Sequence, residues 1–106
     1  MSQPVPATQT ILFTDLVSST ALRSRLGEER ADELRRVHDQ LLTEEVEFYS
    51  GRVVKGGGDG IMAVFGASSE AVAAAVAMQQ AVTRYSYRAD RIAEMTVRIG
   101  LSVGDV

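Results

Sequence analysis

Two aspartates in short segments flanked by glycines or hydroxyl residues carry the chemistry open to this chain. Asp15 closes the apolar run Ile11-Leu12-Phe13-Thr14 and leads into Ser18, Ser19 and Thr20. Asp59 sits within Lys55-Gly56-Gly57-Gly58-Asp59-Gly60, directly before a second apolar run from Ile61 to Phe65. Carboxylates at two strand ends suit hard cations, because magnesium takes oxygen donors from one or two carboxylates and completes its octahedron with water and substrate phosphates. If the fold brings the two ends together, they form a site for magnesium and a nucleoside triphosphate. The helix that follows Ser18, Ser19 and Thr20 would present amide N–H groups without intrahelical partners, which favour an anion. The same residues read equally well as a strand-to-helix turn with a helix cap. The glycines alone fit an ordinary hairpin loop. They lack the Gly-Lys-Ser/Thr ending of a P-loop and lead into a strand rather than a helix, which sets aside the P-loop and dinucleotide folds.

The elements that must position these residues follow from periodicity and punctuation. Thr10 to Thr14 reads as a buried strand after a flexible lead over residues 1–9 that contains Pro4 and Pro6. A short helix is expected through Leu26, with Gly27 separating it from a longer one that begins near Glu28. Leu34, Val37, Leu41 and Phe48, with Leu42 and Val46 beside them, define the expected apolar face of that longer helix. Ser50-Gly51 ends it. Arg52 to Lys55 and Ile61 to Phe65 form an expected hairpin, Glu70 to Tyr87 an Ala- and Val-rich helix, and Thr96 to Val103 a last strand. This order is the ferredoxin-like split β-α-β pattern of an α+β fold, an antiparallel sheet with both major helices on one face. In that sheet the first and second strands run parallel with the third between them, so Asp15 and Asp59 are expected to converge at one edge.

At 106 residues, 45% hydrophobic and 24% charged, the chain suits one soluble globular domain. A net charge of −3 provides no global field for nucleic acid, so a phosphate ligand must be held locally. Without cysteine there are no disulfides, thiolate metal sites or thiol nucleophile, in keeping with a cytoplasmic setting. No stretch has the length of a membrane span. His38 reads as a packing or surface residue, Met62, Met78 and Met95 as core filler, and Arg23, Arg25, Arg35 and Arg36 as a solvated helix face.

Three blocks, taken in order, resemble the class III adenylate and guanylate cyclase catalytic domain: Phe13-Thr14-Asp15-Leu16-Val17-Ser18-Ser19-Thr20, Lys55 to Phe65, and Val97-Arg98-Ile99-Gly100-Leu101-Ser102-Val103-Gly104. Residues 10–106 are thus similar to the first part of such a domain. The resemblance implies that Asp15 and Asp59, with the backbone carbonyl of Leu16, hold two Mg²⁺ or Mn²⁺ ions. It places Val17, Ser18, Ser19, Thr20 and Gly58 around the triphosphate and Lys55 at the purine, where a donor favours ATP over GTP. The implied reaction converts ATP to 3′,5′-cyclic AMP and pyrophosphate for signal transduction. It needs a second cyclase domain, in a head-to-tail homodimer, without nucleic acid or membrane as partners. The asparagine and arginine that stabilise the transition state in this family belong to a part beyond position 106, so the chain alone is expected to bind metal and ATP with little turnover. A second reading is a non-catalytic cyclase-like module for nucleotide binding or regulatory dimerisation. The GGDEF diguanylate cyclases share Gly57-Gly58-Asp59 but continue Glu-Phe, where this chain has Gly60-Ile61.

Overall fold

Alternation along one strand sets the architecture. In the computed structural model, which describes residues 8–17, 24, 27–56, 60–88 and 96–105, strand β1 (Thr8–Val17) buries Thr10, Leu12, Thr14 and Leu16. Phe13 and Asp15, between them, are exposed. Successive side chains of a strand point to opposite faces, so β1 builds a core on one side and an open surface on the other.

The remaining elements are α1 (Glu28–Phe48), β2 (Arg52–Lys55), β3 (Met62–Phe65), α2 (Ser68–Arg88) and β4 (Thr96–Asp105). The strands form one antiparallel sheet in the order β2-β3-β1-β4. β1 runs antiparallel to β3, and β3 to β2, so β1 and β2 are parallel and flank β3 as the sequence pattern predicts. Both helices pack on the face that carries Leu12, Ala63, Phe65 and Val97, where Leu42, Val46, Ala74 and Met78 meet them in the core. The expected α+β fold is the observed one. β1 is longer than the apolar run suggests, because its pairing with β4 continues from Thr8↔Asp105 to Val17↔Thr96.

Helix α1 begins after Gly27, whose φ of 83° lies in the region that glycine occupies without steric cost, and Glu28 and Glu29 complement its N-terminal dipole. It ends in a Schellman arrangement: the N–H of Gly51 donates to the carbonyl of Val46 at 2.8 Å, and that of Ser50 to Glu47 at 3.1 Å. Here Ser50, with φ of 67°, takes the left-handed position usually left to glycine. Gly51 is needed for another reason, since a Cβ there would lie 2.7 Å from Cζ of Phe65.

The structure corrects several sequence expectations. The buried stripe of α1 is Ala31, Leu34, His38, Leu42 and Val46. Val37 and Leu41 are only half-buried, and Phe48 is 76% exposed, its ring edge-on to Tyr49. His38 takes the central place because it falls four residues after Leu34 and four before Leu42, the spacing that stacks side chains on one face. Met62 is no core filler: it is 38% exposed on the open face, whereas Met78 is fully buried as expected. Arg36 is solvated, but Arg35 is partly buried and donates to Asp32 at 2.9 Å. The expected helix through Leu26 falls largely outside the described residues, as do Arg23, Arg25 and Met95. None of the described helices is long and apolar enough to cross a membrane.

Candidate functional site

The return of the hairpin to β1 is what positions the site. The N–H of Thr14 donates to the carbonyl of Ile61 at 3.0 Å, and the N–H of Ile61 donates to Oγ1 of Thr14, also at 3.0 Å. A single threonine thereby grips both backbone groups of Ile61 with its main chain and side chain. Gly60 rests against the carbonyl oxygen of Thr14 so closely that a Cβ would collide with it. The obstacle is backbone, so only glycine permits this approach. The residues on both sides of this contact carry the expected chemistry, Asp15 following Thr14 and Asp59 preceding Gly60.

Asp15 lies on the open face near the end of β1, with its carboxylate 56% exposed. Lys55, the last residue of β2, pairs in register with Met62, beyond an irregularity between Val53 and Lys55. Asp15 and Lys55 line one cavity of about 250 Å³ whose walls also include Phe13, Met62, Gly56 and Gly60. Thus a carboxylate, an ammonium and an apolar surface made by an aromatic ring and a thioether share one concavity. Leu16 buries its side chain in the core, which leaves its backbone carbonyl as the group it could offer. Val17 ends β1, so the expected anion-binding segment begins where the strand stops. Ser18, Ser19, Thr20, Gly58 and Asp59 lie outside the described residues.

Three contributors escaped the sequence reading. Phe13 and Met62 wall the cavity, and Arg98 reaches Asp15 across the sheet: its Nη2 donates to Oδ2 of Asp15 at 2.9 Å. Asp15 and Arg98 are register partners on β1 and β4, although 83 residues separate them. The β-strand alternation of Val97-Arg98-Ile99 puts Arg98 on the open face, but its partner depends on a long-range register. Gly100, two residues on, leaves room for the Phe13 ring, where a Cβ would lie 2.6 Å from Cε2. By register Arg52, Lys55 and Arg98 all belong to the open face. Among the described residues, Asp15 is the acid set between these cations, and no cluster of three or more acidic, histidine or cysteine side chains could enclose a metal.

The chain matches the family model described as "Adenylate and Guanylate cyclase catalytic domain" over residues 3–106. It is 30% identical over 101 residues to "Serine/threonine-protein kinase pkn2" of Myxococcus xanthus, a match covering 95% of this chain and 12% of that protein. It is 30% identical over 96 residues to "Putative adenylate cyclase 3" of Rhizobium meliloti, covering 91% of this chain and 16% of that one. Among solved structures, the guanylyl cyclase Cya2 superposes with a TM-score of 0.83 at 25% identity, covering 93% of this chain and 55% of the other. The chain therefore spans a small part of these curated relatives and about half of that solved chain.

Proposed function

Because the chain belongs to the adenylate and guanylate cyclase catalytic-domain family, we propose that it supplies the metal and triphosphate part of a cyclase site, with ATP as its nucleotide. The observation that carries this reading is the shared cavity of Asp15 and Lys55, opened between two strand ends by the docking of Gly60 on Thr14. The donor set fits a hard cation: an exposed carboxylate, already attracting a guanidinium, beside a backbone carbonyl and a chain position one residue from Asp59. In this reading Asp15, Asp59 and the carbonyl of Leu16 hold two Mg²⁺ or Mn²⁺ ions. Bound there, the ions would lower the pKa of the ribose 3′-hydroxyl and offset the charge of the departing pyrophosphate. The backbone amides of Val17, Ser18, Ser19 and Thr20, with Gly58, meet the triphosphate where the macrodipole of a helix would favour it.

Lys55 selects the base. Its ammonium can only donate, and adenine N1 accepts where guanine N1 carries a hydrogen, so ATP is preferred. The exposed Phe13 ring and Met62 provide the apolar surface beside which a purine would lie. In the intact arrangement a second cyclase domain, in a head-to-tail homodimer, completes the site with its own transition-state donors. Loss of a preorganised donor costs on the order of a hundredfold or more in rate, so these 106 residues alone bind metal and ATP with little turnover. A cytoplasmic signalling role accompanies this reading.

The test combines calorimetric titration of ATP and GTP in the presence of Mn²⁺ with mass-spectrometric detection of cyclic AMP. ATP is expected to bind more tightly than GTP, Asp59→Ala to abolish Mn²⁺-dependent binding, and cyclic AMP to remain at trace level. Absence of Mn²⁺-dependent nucleotide binding would sink the reading, and abundant cyclic AMP from the chain alone would refute the need for a second domain.

A further inference from the structure

We propose that Arg98 is a latch on Asp15: in the ion-free protein its guanidinium occupies the carboxylate that a divalent cation needs, and the cation binds by displacing it. The inference rests on the metal reading of the site and adds a device that sets how readily the site fills.

Four observations support it. Arg98 and Asp15 are direct register partners, so the sheet itself delivers the cation to the carboxylate. The contact is one charge-assisted hydrogen bond of 2.9 Å, and both side chains are largely exposed, at 73% for Arg98 and 56% for Asp15. An ion pair that open to water contributes little to stability and is screened by salt, so it is a poor structural brace and is readily exchanged. Finally, the neighbour of Arg98 toward the start of β4 on the same face is Thr96, a small exposed residue that leaves the guanidinium space to swing away from Asp15, whereas the Phe13 ring covers Gly100 on the other side.

A bound dication and the Arg98 guanidinium compete for the same oxygen. They also repel each other, so a variant without the positive charge gives the ion both a vacant ligand and a less repulsive field. Each effect raises affinity. A brace would do the opposite, because loss of the guanidinium would release Asp15 from its productive position and weaken ion binding.

The experiment is titration of the 106-residue chain with Mn²⁺ without nucleotide, following the free ion by electron paramagnetic resonance. Wild type, Arg98→Gln, Asp15→Asn and the double variant are compared. Arg98→Gln is expected to bind Mn²⁺ roughly two- to fivefold tighter, the range that exposed pairs span. Asp15→Asn should abolish the gain. In parallel, Mg²⁺ should shift the ¹⁵N resonance of the Arg98 side chain in the wild type and not in Asp15→Asn. Binding by Arg98→Gln but not by the wild type would support a latch closed under those conditions. Equal or weaker binding by Arg98→Gln, with the wild type binding, overturns the latch and leaves the metal reading standing. A gain that persists in the double variant also overturns it, as a general charge effect. No binding by either wild type or Arg98→Gln overturns both.

Discussion

The two faces of the sheet are built from the same strands, yet they answer to different demands. On the helix-covered face, Leu12, Thr14 and Leu16 alternate with the residues of the open face and are excluded from water. On the open face, Phe13 and Asp15 stand between them and line the cavity. One residue along β1 therefore separates a position that holds the fold from one that holds the site. The difference teaches that the site's rigidity is borrowed. Asp15 is fixed by the burial of its neighbours, and its own bond to Arg98 is exposed and weak.

This contrast can be broken most severely at Leu12. Truncation by Leu12→Ala leaves a cavity among fully buried side chains and should cost about 2–5 kcal/mol in denaturant unfolding. Phe13→Ala, one residue on and half-exposed, should cost about 1 kcal/mol while weakening nucleotide binding. Equal losses at the two positions would mean that the faces are not distinct. Next in size is Thr14→Val, which leaves the Ile61 N–H without its side-chain acceptor inside the core, a loss of about 1–3 kcal/mol. Because the same bond docks the hairpin beside Asp15, Mn²⁺ affinity should fall in parallel with stability. An unchanged affinity would detach the site from this anchor.

A subtler contribution comes from His38, buried in the stripe of α1 with neither ring nitrogen hydrogen-bonded. Burial lowers its pKa from 6.5, opposed in part by the Asp39 carboxylate 3.7 Å away. The folded protein thus holds His38 neutral at pH values where the unfolded chain binds the proton. Its contribution is fully present above about pH 6.5 and declines as pH falls below that value toward the lower folded-state pKa. Thermal unfolding of wild type and His38→Leu between pH 8 and pH 5 should diverge in slope on the acid side, and parallel curves would remove His38 from the account. The smallest effect on stability is expected at Asp15→Asn, below about 1 kcal/mol because the pair it breaks is exposed. The same substitution should remove Mn²⁺ binding, separating function from fold most cleanly.

Much of the architecture was legible because local signals agreed. Gly27, Ser50 and Gly51 delimit α1, alternation marks the strands, and the split β-α-β order predicts that β3 lies between β1 and β2. The face of α1 was less legible. Val37, Leu41 and Phe48 are apolar, whereas the stripe runs through a histidine that hydrophobicity alone would not assign to the core. Met62 misled for a similar reason: a thioether is apolar wherever it sits, and the register of β3 against β1 decides which face receives it. In the site, Asp15 and Lys55 were readable as residue types at strand ends. The partnership of Arg98 with Asp15 and the lock of Thr14 on Ile61 span 83 and 47 residues of sequence, and no local pattern encodes such distances.

The ten-residue ladder between β1 and β4 begins where Thr8 meets Asp105, so the start of β1 and the end of β4 lie side by side. Tension applied through those ends would act on one extremity of an antiparallel pair, peeling its hydrogen bonds in succession rather than shearing them together. Asp15 and Arg98, at the eighth pairing from that extremity, would be among the last to part. A pull transmitted through those strand ends would therefore spare the corner held by Asp15 and Arg98 until most of the ladder had opened.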